Sequence, residues 1–78
     1  MPPLPIISAK DFIKFLESKG FVLIRQKGSH KRFKHPDGKN ITVPDHGKTN
    51  LKRGLLKGML NSLDIEVEEL IEFLEKGK

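Results

Sequence analysis

Residues 21–35, FVLIRQKGSHKRFKH, decide how this 78-residue chain folds. Gly28-Ser29 in their middle has the composition of a type II′ turn, in which glycine supplies the positive φ of the first central position. The run before the turn is β-branched and aromatic, which is typical of a strand. We therefore predict that residues 21–27 and residues 30–35 pair as the antiparallel strands of a hairpin.

His30 begins the second strand and is the residue best suited to chemistry. Alternation along the strand puts it on one face with Arg32 and Lys34, whereas Phe33 lies on the opposite, packed face. An imidazole exchanges a proton near neutral pH, and neighbouring cations suit a phosphate. The strand alone leaves two interpretations open: a catalytic histidine, or a solvated one on a basic surface.

Length and composition limit the classes of function. Seventy-eight residues suit one domain with a modest core, which favours chemistry on an open surface over a deep enclosed site. Cysteine is absent, so we expect neither a disulfide framework nor a thiolate metal site. No apolar run has membrane-spanning length, and residues 1–5 lack the regions of a signal peptide. We therefore expect a cytoplasmic protein without a membrane partner.

The net charge of +5 is unevenly distributed. Residues 25–57 contain ten cations and two acidic residues, whereas residues 64–78 contain six acidic residues and two lysines. The basic middle favours a polyanion such as nucleic acid, with a solvated charged face as the alternative. The acidic end indicates a different role for the C-terminal segment.

The segments around the hairpin predict a helix before it and a third strand after it. Ser8 begins the helix with capping-box spacing, and Gly20 ends it in the left-handed conformation. A second tight turn at residues 36–38 leads to the third strand, which Pro44 ends because it lacks a backbone donor.

Two more helices complete the chain. Thr49 or Asn50 is predicted to cap the first of them, and a break at residues 62–64 separates it from an acidic helix that begins near Glu66. The apolar residues that we expect to face the core are Leu51, Leu55, Leu56, Met59 and Leu60, followed by Val67, Leu70, Ile71 and Leu74. The result is a single α+β domain with the order α-β-β-β-α-α: residues 1–7 form an extended N-terminal segment, residues 8–63 the core, and residues 64–78 an acidic C-terminal helix.

Four separated motifs occur in one order along the chain: Gly28-Ser29-His30-x-x-Phe33, His35-Pro36-Asp37-Gly38, Val43-Pro44-x-His46 and Lys52-x-Gly54-x-Leu56. Over about residues 9–65 this pattern resembles the HicA toxin family, although Lys31 replaces a frequent histidine and Leu55 a common threonine. The resemblance implies a fold similar to the double-stranded-RNA-binding domain, with helices on one face of a three-stranded antiparallel sheet. It also implies an RNA-cleaving toxin whose catalytic residue is His30.

A ribonuclease without a metal needs a base for the 2′-hydroxyl, positive charge for the phosphorane and an acid for the leaving oxygen. His30 suits the first or the third role. No cluster of acidic residues or histidines has the spacing of a metal site, so we predict neither a metal nor another cofactor. The predicted RNA contacts are Lys27, Ser29, Lys31, Arg32, Lys34, His46, Lys48 and Lys52.

We expect different roles for the two other histidines. His35 shares the face of Phe33 and precedes Pro36, which favours a packed or turn-bonded role. His46 lies in a loop past the third strand and is left with several interpretations: a phosphate contact, a second proton-transfer group or neither.

The resemblance implies mRNA as substrate and a HicB-like antitoxin protein that covers His30 and the hairpin. Two other functions remain open: a non-catalytic RNA-binding module, and a DNA-binding helix-turn-helix made by the last two helices. The second is disfavoured because phosphates would repel the acidic last helix. That helix either packs on the core or contacts a second copy in a homodimer.

Overall fold

The computed structural model of the chain describes residues 3–76. Its elements are α1 (Ala9–Ser18), β1 (Val22–Lys27), β2 (His30–Lys34), β3 (Asn40–Pro44), α2 (Arg53–Ser62) and α3 (Val67–Lys76). This order confirms the predicted α+β class. The ends of the predicted N-terminal segment and acidic helix, at residues 1–2 and 77–78, lie outside the described residues.

Both ends of α1 follow from local sequence. The Ser8 hydroxyl accepts a hydrogen bond from the Asp11 backbone N–H at 3.2 Å, which satisfies a donor that the first helical turn leaves free. Gly20 follows the helix with a φ of 98°, and the Phe21 N–H donates to the Leu16 carbonyl at 3.0 Å. This is the Schellman arrangement, which needs a residue that tolerates positive φ.

The three strands form one antiparallel sheet in the order β1-β2-β3. Gly28 has a φ of 59° while Ser29 is not in the positive-φ region, as a type II′ turn requires. Lys27 and His30 are therefore direct partners across the turn. A β-bulge between Leu23 and Arg25 makes the register of β1 irregular.

The helices cover one face of the sheet. Phe33, Ile41 and Val43 project from β2 and β3 into the core, where they are almost completely buried. They pack with residues from the helices and their connections, namely Ile7, Phe12, Phe15, Leu16, Phe21, Leu56, Met59, Leu60, Leu63 and Leu70. The opposite face of the sheet carries exposed side chains.

The acidic helix α3 packs on this core. Leu70 is fully buried, and the Phe73 ring meets the Phe15 ring edge-on with centroids 5.4 Å apart. Glu69 forms an ion pair with Lys19 at the end of α1. Of the two roles expected for this helix, the structure therefore confirms packing within the chain.

The predicted cap of α2 is wrong. The helix begins at Arg53, and its N-cap is Lys52, three residues after Thr49 and two after Asn50, with no side-chain cap bond. Thr49 and Asn50 belong instead to an extended segment: Asn50 pairs with Ser8 in an isolated bridge, and the Thr49 carbonyl accepts from the Ala9 N–H at 3.3 Å. A long-range contact with the start of α1 outweighs the local capping preference.

Two of the leucines that were predicted to face the core are not buried in it. Leu55 was predicted to face inward, but its side chain is 41% exposed. Leu51 precedes the helix and is only partly buried against the core. The buried positions of this segment are Leu56, Met59, Leu60 and Leu63, which follow the helical spacing i, i+3, i+4 and i+7.

Candidate nucleic-acid interface

The face of the sheet that the helices leave bare is strongly basic. Cross-strand partners point to the same side of a sheet, and the register pairs Arg25 with Arg32 and Lys27 with His30. Lys34 follows Arg32 by two residues and so shares its face. All five side chains are exposed, and neither β1 nor β2 contains an acidic residue. We call this surface, Arg25, Lys27, His30, Arg32 and Lys34, the outer sheet face.

His30 lies at the hairpin end of the outer sheet face. It is the first residue of β2 and has two direct partners, Lys27 on β1 and Pro44 on β3. Its side chain is exposed, and β-sheet geometry puts the Cα of Lys27 roughly 5 Å away. The structure thus presents a solvated imidazole with a cation directly across the hairpin.

Arg32 is held in place by polar side chains of β3. One guanidinium nitrogen donates to the Thr42 hydroxyl at 3.2 Å, and the other terminal nitrogen donates to the Asn40 side-chain carbonyl. These bonds use two of the five guanidinium donors. A positioned guanidinium with free donors is well shaped for two oxygens of one phosphate.

Lys31 lies on the other side of β2 and pairs with an acidic residue that sequence reasoning had left in a loop. Its ammonium nitrogen is 2.6 Å from a carboxylate oxygen of Asp45. The second carboxylate oxygen of Asp45 accepts from the Gly47 N–H at 2.8 Å. The Lys31 ammonium, and after it the Gly47 N–H, hold the pKa of Asp45 below its usual value. Lys31 was predicted as an RNA contact like Arg32, but the structure gives it a carboxylate partner.

The loop after β3 is attached to the hairpin through the same Asp45. Its backbone N–H donates to the Ser29 carbonyl at 2.6 Å, next to His30. His46 is the following residue and is exposed. The structure therefore brings His46 to the hairpin end of the sheet, although the motif that contains it is separated from His30 by several residues of β2 and β3.

Two of the predicted RNA contacts are not part of the outer sheet face. Lys48 lines a cleft beside α1 together with Lys10 and Lys14. Lys52 is exposed at the start of α2. The predicted set thus divides into a group on the sheet and its hairpin, and a second group in the segment between β3 and α2.

His35 has the structural role that was predicted for it. The Asp37 N–H donates to its Nδ1 at 3.1 Å, so the proton of the neutral ring is assigned to Nε2, which lies 3.0 Å from the Lys19 carbonyl. The ring also packs on Phe21, with centroids 5.0 Å apart. His35 therefore joins the end of α1 to the turn between β2 and β3.

The surroundings of His30 are open. A cleft of about 210 Å³ lies at the His35 end of the domain and is lined by Lys19, Phe21 and Glu69 among others, but not by His30. Across residues 3–76 no three histidine or carboxylate side chains are grouped as metal ligands. Within the same residues no helix has the length and hydropathy to cross a bilayer.

Three residues that position the site were not predicted as part of it: Asn40, Thr42 and Asp45. Alternation along β3 puts Asn40 and Thr42 on the outer face, which is a signal for contact with Arg32 once the register is known. Asp45 has no such signal, because its ion pair joins a strand to a loop fourteen residues further along the chain.

The fold and this surface define a small α+β domain that presents one histidine and several cations on the bare face of a three-stranded sheet. The family model of the HicA toxin of bacterial toxin-antitoxin systems matches residues 9–65. The chain therefore belongs to the HicA toxin family, which makes it the toxin of such a pair and implies a cognate antitoxin. A comparison with curated proteins gives no match.

Proposed function

We propose that this toxin is an endoribonuclease that cleaves mRNA without a metal ion, with His30 as the general acid/base. The observation that carries the proposal is the position of His30: an exposed imidazole on the same face as Arg32 and Lys34, directly across the hairpin from Lys27. Membership of a toxin family supports an activity that is harmful in the cell.

The chemistry follows from the residue types. His30 in its neutral form removes the proton of a 2′-hydroxyl, the 2′-oxygen attacks the adjacent phosphorus, and the bond to the 5′-oxygen breaks. The leaving 5′-oxygen takes a proton from an acid, which is the protonated imidazole or His46. Cations on the outer sheet face stabilise the charge that grows on the phosphorane oxygens. Arg32 suits this role because its guanidinium is held by Thr42 and Asn40.

The binding part of the proposal rests on the distribution of charge. Lys27, Arg32 and Lys34 contact backbone phosphates from the sheet, while Ser29 offers a hydroxyl at the turn. Lys48 and Lys52 extend the contact beyond the loop that carries His46. Lys31 contributes less to the contact than Lys34, because it is paired with Asp45. Binding of this kind reads the RNA backbone rather than its sequence.

Rates of RNA cleavage by the purified wild type and by His30→Ala test the proposal. We expect the variant to lose roughly 10² to 10⁴ in rate with little change in RNA affinity, because a proton-transfer group acts in the transition state. Added imidazole should restore part of the lost rate, since it occupies the space of the missing ring. RNA binding without cleavage by the wild type would instead support the non-catalytic module.

The same surface accounts for control by a HicB-like antitoxin. His30 is open to solvent, so a partner that covers it and the basic hairpin blocks the reaction directly. A contact surface with carboxylates would be steered toward the outer sheet face by opposite charge. An equimolar amount of the cognate antitoxin should abolish cleavage, and hydrogen exchange should slow across residues 28–35. A stable complex that still cuts RNA, with unchanged exchange in the hairpin, would contradict this.

No observation favours DNA binding through α2 and α3. The first turn of α3 carries Glu68 and Glu69, and its apolar stripe is used against the core through Leu70. Phosphates would be repelled by that helix.

A further inference from the structure

The outer edge of β1 is an unpaired strand edge in the described part of the chain. The sheet order puts β1 on one side of β2, and within residues 3–76 no strand or bridge pairs with its other side. An edge strand presents backbone N–H and C=O groups that can pair with another extended chain. The edge is therefore a place where a fourth strand can be added.

The same strand carries the main exposed apolar patch of the described residues. Val22, Leu23 and Ile24 are 60%, 42% and 53% exposed. Val22 pairs with Lys34 and so lies on the outer sheet face, whereas Leu23 pairs with Phe33 and is exposed on the opposite face because β1 is at the edge of the sheet. The other large apolar side chains exposed in residues 3–76 are Ile6 and Leu55, which lie on different elements. Exposed apolar side chains grouped on one edge strand are typical of a surface that is covered by a partner.

The patch continues directly into positive charge. Arg25 and Lys27 follow it on β1, Arg32 lies directly across from Arg25 on β2, and Lys34 lies across from Val22, with no acidic residue on either strand. A partner segment that matches this surface needs apolar side chains at the Val22 end and carboxylates at the Lys27 end. Such a segment has the composition of an acidic β-strand.

We propose that β1 is the docking edge for an extended acidic segment of a partner protein, which adds as a fourth strand to the sheet. The inference rests on the proposed function insofar as it identifies the partner with the cognate antitoxin. A strand on this edge would lie about 5 Å from β1 and about 10 Å from β2. The added strand would therefore lie directly beside Lys27 and one strand away from His30.

A second copy of this chain is a poor occupant of the edge. Pairing of two β1 strands would bring together Arg25 and Lys27 of both copies without any carboxylate between them. Charge here opposes self-association.

RNA is a poor occupant for a different reason. Single-stranded bases are bound by stacking on aromatic rings, and the apolar half of β1 has none. Phe33 is buried in the core, and His30 lies at the hairpin end of β2. Val22 and Ile24 offer nothing to a phosphate. The apolar half of the surface therefore fits a protein side chain better than a nucleic acid.

The test is the affinity of the cognate antitoxin for full-length variants, measured by titration calorimetry without RNA. Val22→Ser combined with Ile24→Ser should raise the Kd by about 100-fold, because two exposed anchors lose their apolar contact. Arg25→Glu should raise it by roughly tenfold or more and should do so most at low salt. Two matched controls, Leu55→Ser and Lys14→Glu, change an exposed apolar residue and an exposed cation of the helices and should leave the Kd within about twofold.

Each other outcome identifies a different arrangement. Full affinity in the β1 variants, or equal losses in the two controls, would overturn the docking edge. Loss of RNA affinity in Val22→Ser with Ile24→Ser, with antitoxin affinity intact, would assign the surface to RNA and also overturn it. Since the titration contains no RNA, the docking edge can fail while RNA cleavage by His30 stands, and the reverse. Slower amide exchange at residues 22–27 in the complex is the expected signature of an added strand.

Discussion

The ammonium nitrogen of Lys31 on β2 lies 2.6 Å from a carboxylate oxygen of Asp45, the residue that follows β3. The Asp45 backbone N–H also donates to the Ser29 carbonyl in the hairpin turn. The turn before His30 and the loop that carries His46 are thus joined by one side-chain contact and one backbone contact. This connection holds the loop that carries His46 beside the hairpin turn that precedes His30.

Asp45→Asn should lower the free energy of unfolding by roughly 1 kcal/mol at pH 7, the size of a partly exposed charged hydrogen bond. The ionised carboxylate is favoured in the folded state, where the Lys31 ammonium and the Gly47 N–H lower its pKa below 3.8. The stabilisation is therefore complete above that unfolded value and is lost as pH falls through the lower folded pKa. Urea denaturation at pH 7, 5 and 3 should show the two proteins converging at the acidic end.

The matched control for this prediction is Glu75→Gln, which removes an exposed carboxylate of α3. Its free energy of unfolding should change by less than about 0.5 kcal/mol at pH 7. A difference between wild type and Asp45→Asn that stays constant from pH 7 to pH 3 would show that the ionised carboxylate is not the cause.

The elements that the sequence predicted correctly are those decided by contacts within a few residues. Ser8 caps α1 through the N–H three residues later, and Gly20 and Gly28 adopt positive φ where a helix end and a tight turn require it. Alternation on β2 likewise placed Phe33 in the core and His30 outside, because the side-chain period of a strand is two.

The features that sequence reasoning missed depend on contacts between distant segments. Thr49 and Asn50 have good capping side chains, but the bridge to Ser8 keeps that segment extended and delays α2. The partner of Lys31 could not be predicted for the same reason, since nothing near the hairpin in sequence indicates that Asp45 returns to it.

Cleavage should require a 2′-hydroxyl and should survive removal of divalent metal ions. A substrate with 2′-deoxyribose at the scissile position alone should be bound but not cut, because the attacking oxygen is missing. Wild-type rates on the all-ribose substrate should be equal with and without EDTA, as measured on labelled RNA. A rate that disappears in EDTA and returns with magnesium would replace His30 with a metal-bound water as the activating group.

RNA affinity should fall with salt, with a slope in the logarithmic plot of about −0.7 for each phosphate contacted on a single strand. Arg32→Ala and Lys34→Ala should each reduce the slope by roughly one contact. Lys31→Ala should reduce it less than Lys34→Ala does, because Asp45 already neutralises the Lys31 ammonium. Lys57→Ala, on the outer surface of α2, serves as the control and should leave the slope unchanged.

Alanine variants of the three histidines should show which side chain stabilises the fold and which acts in catalysis. His35→Ala removes the bonds to the Lys19 carbonyl and from the Asp37 N–H together with the contact on Phe21, so we expect a loss of about 2 kcal/mol. For a domain of this size that loss lowers the Tm by roughly 10 °C. His30 and His46 are exposed, and their alanine variants should melt within a few degrees of the wild type. Thermal unfolding by circular dichroism gives these values directly.

RNA cleavage by the same variants, measured well below the lower Tm, tests which histidine takes part in the reaction. His35→Ala should then cut RNA at close to the wild-type rate, because its ring is used between α1 and the β2–β3 turn and is directed away from the outer sheet face. His30→Ala should be folded and inactive. If folded His35→Ala lost as much activity as His30→Ala, the reacting group would belong at the other end of β2. The cleft of about 210 Å³ lined by His35 would then replace the hairpin as the place to look for bound RNA.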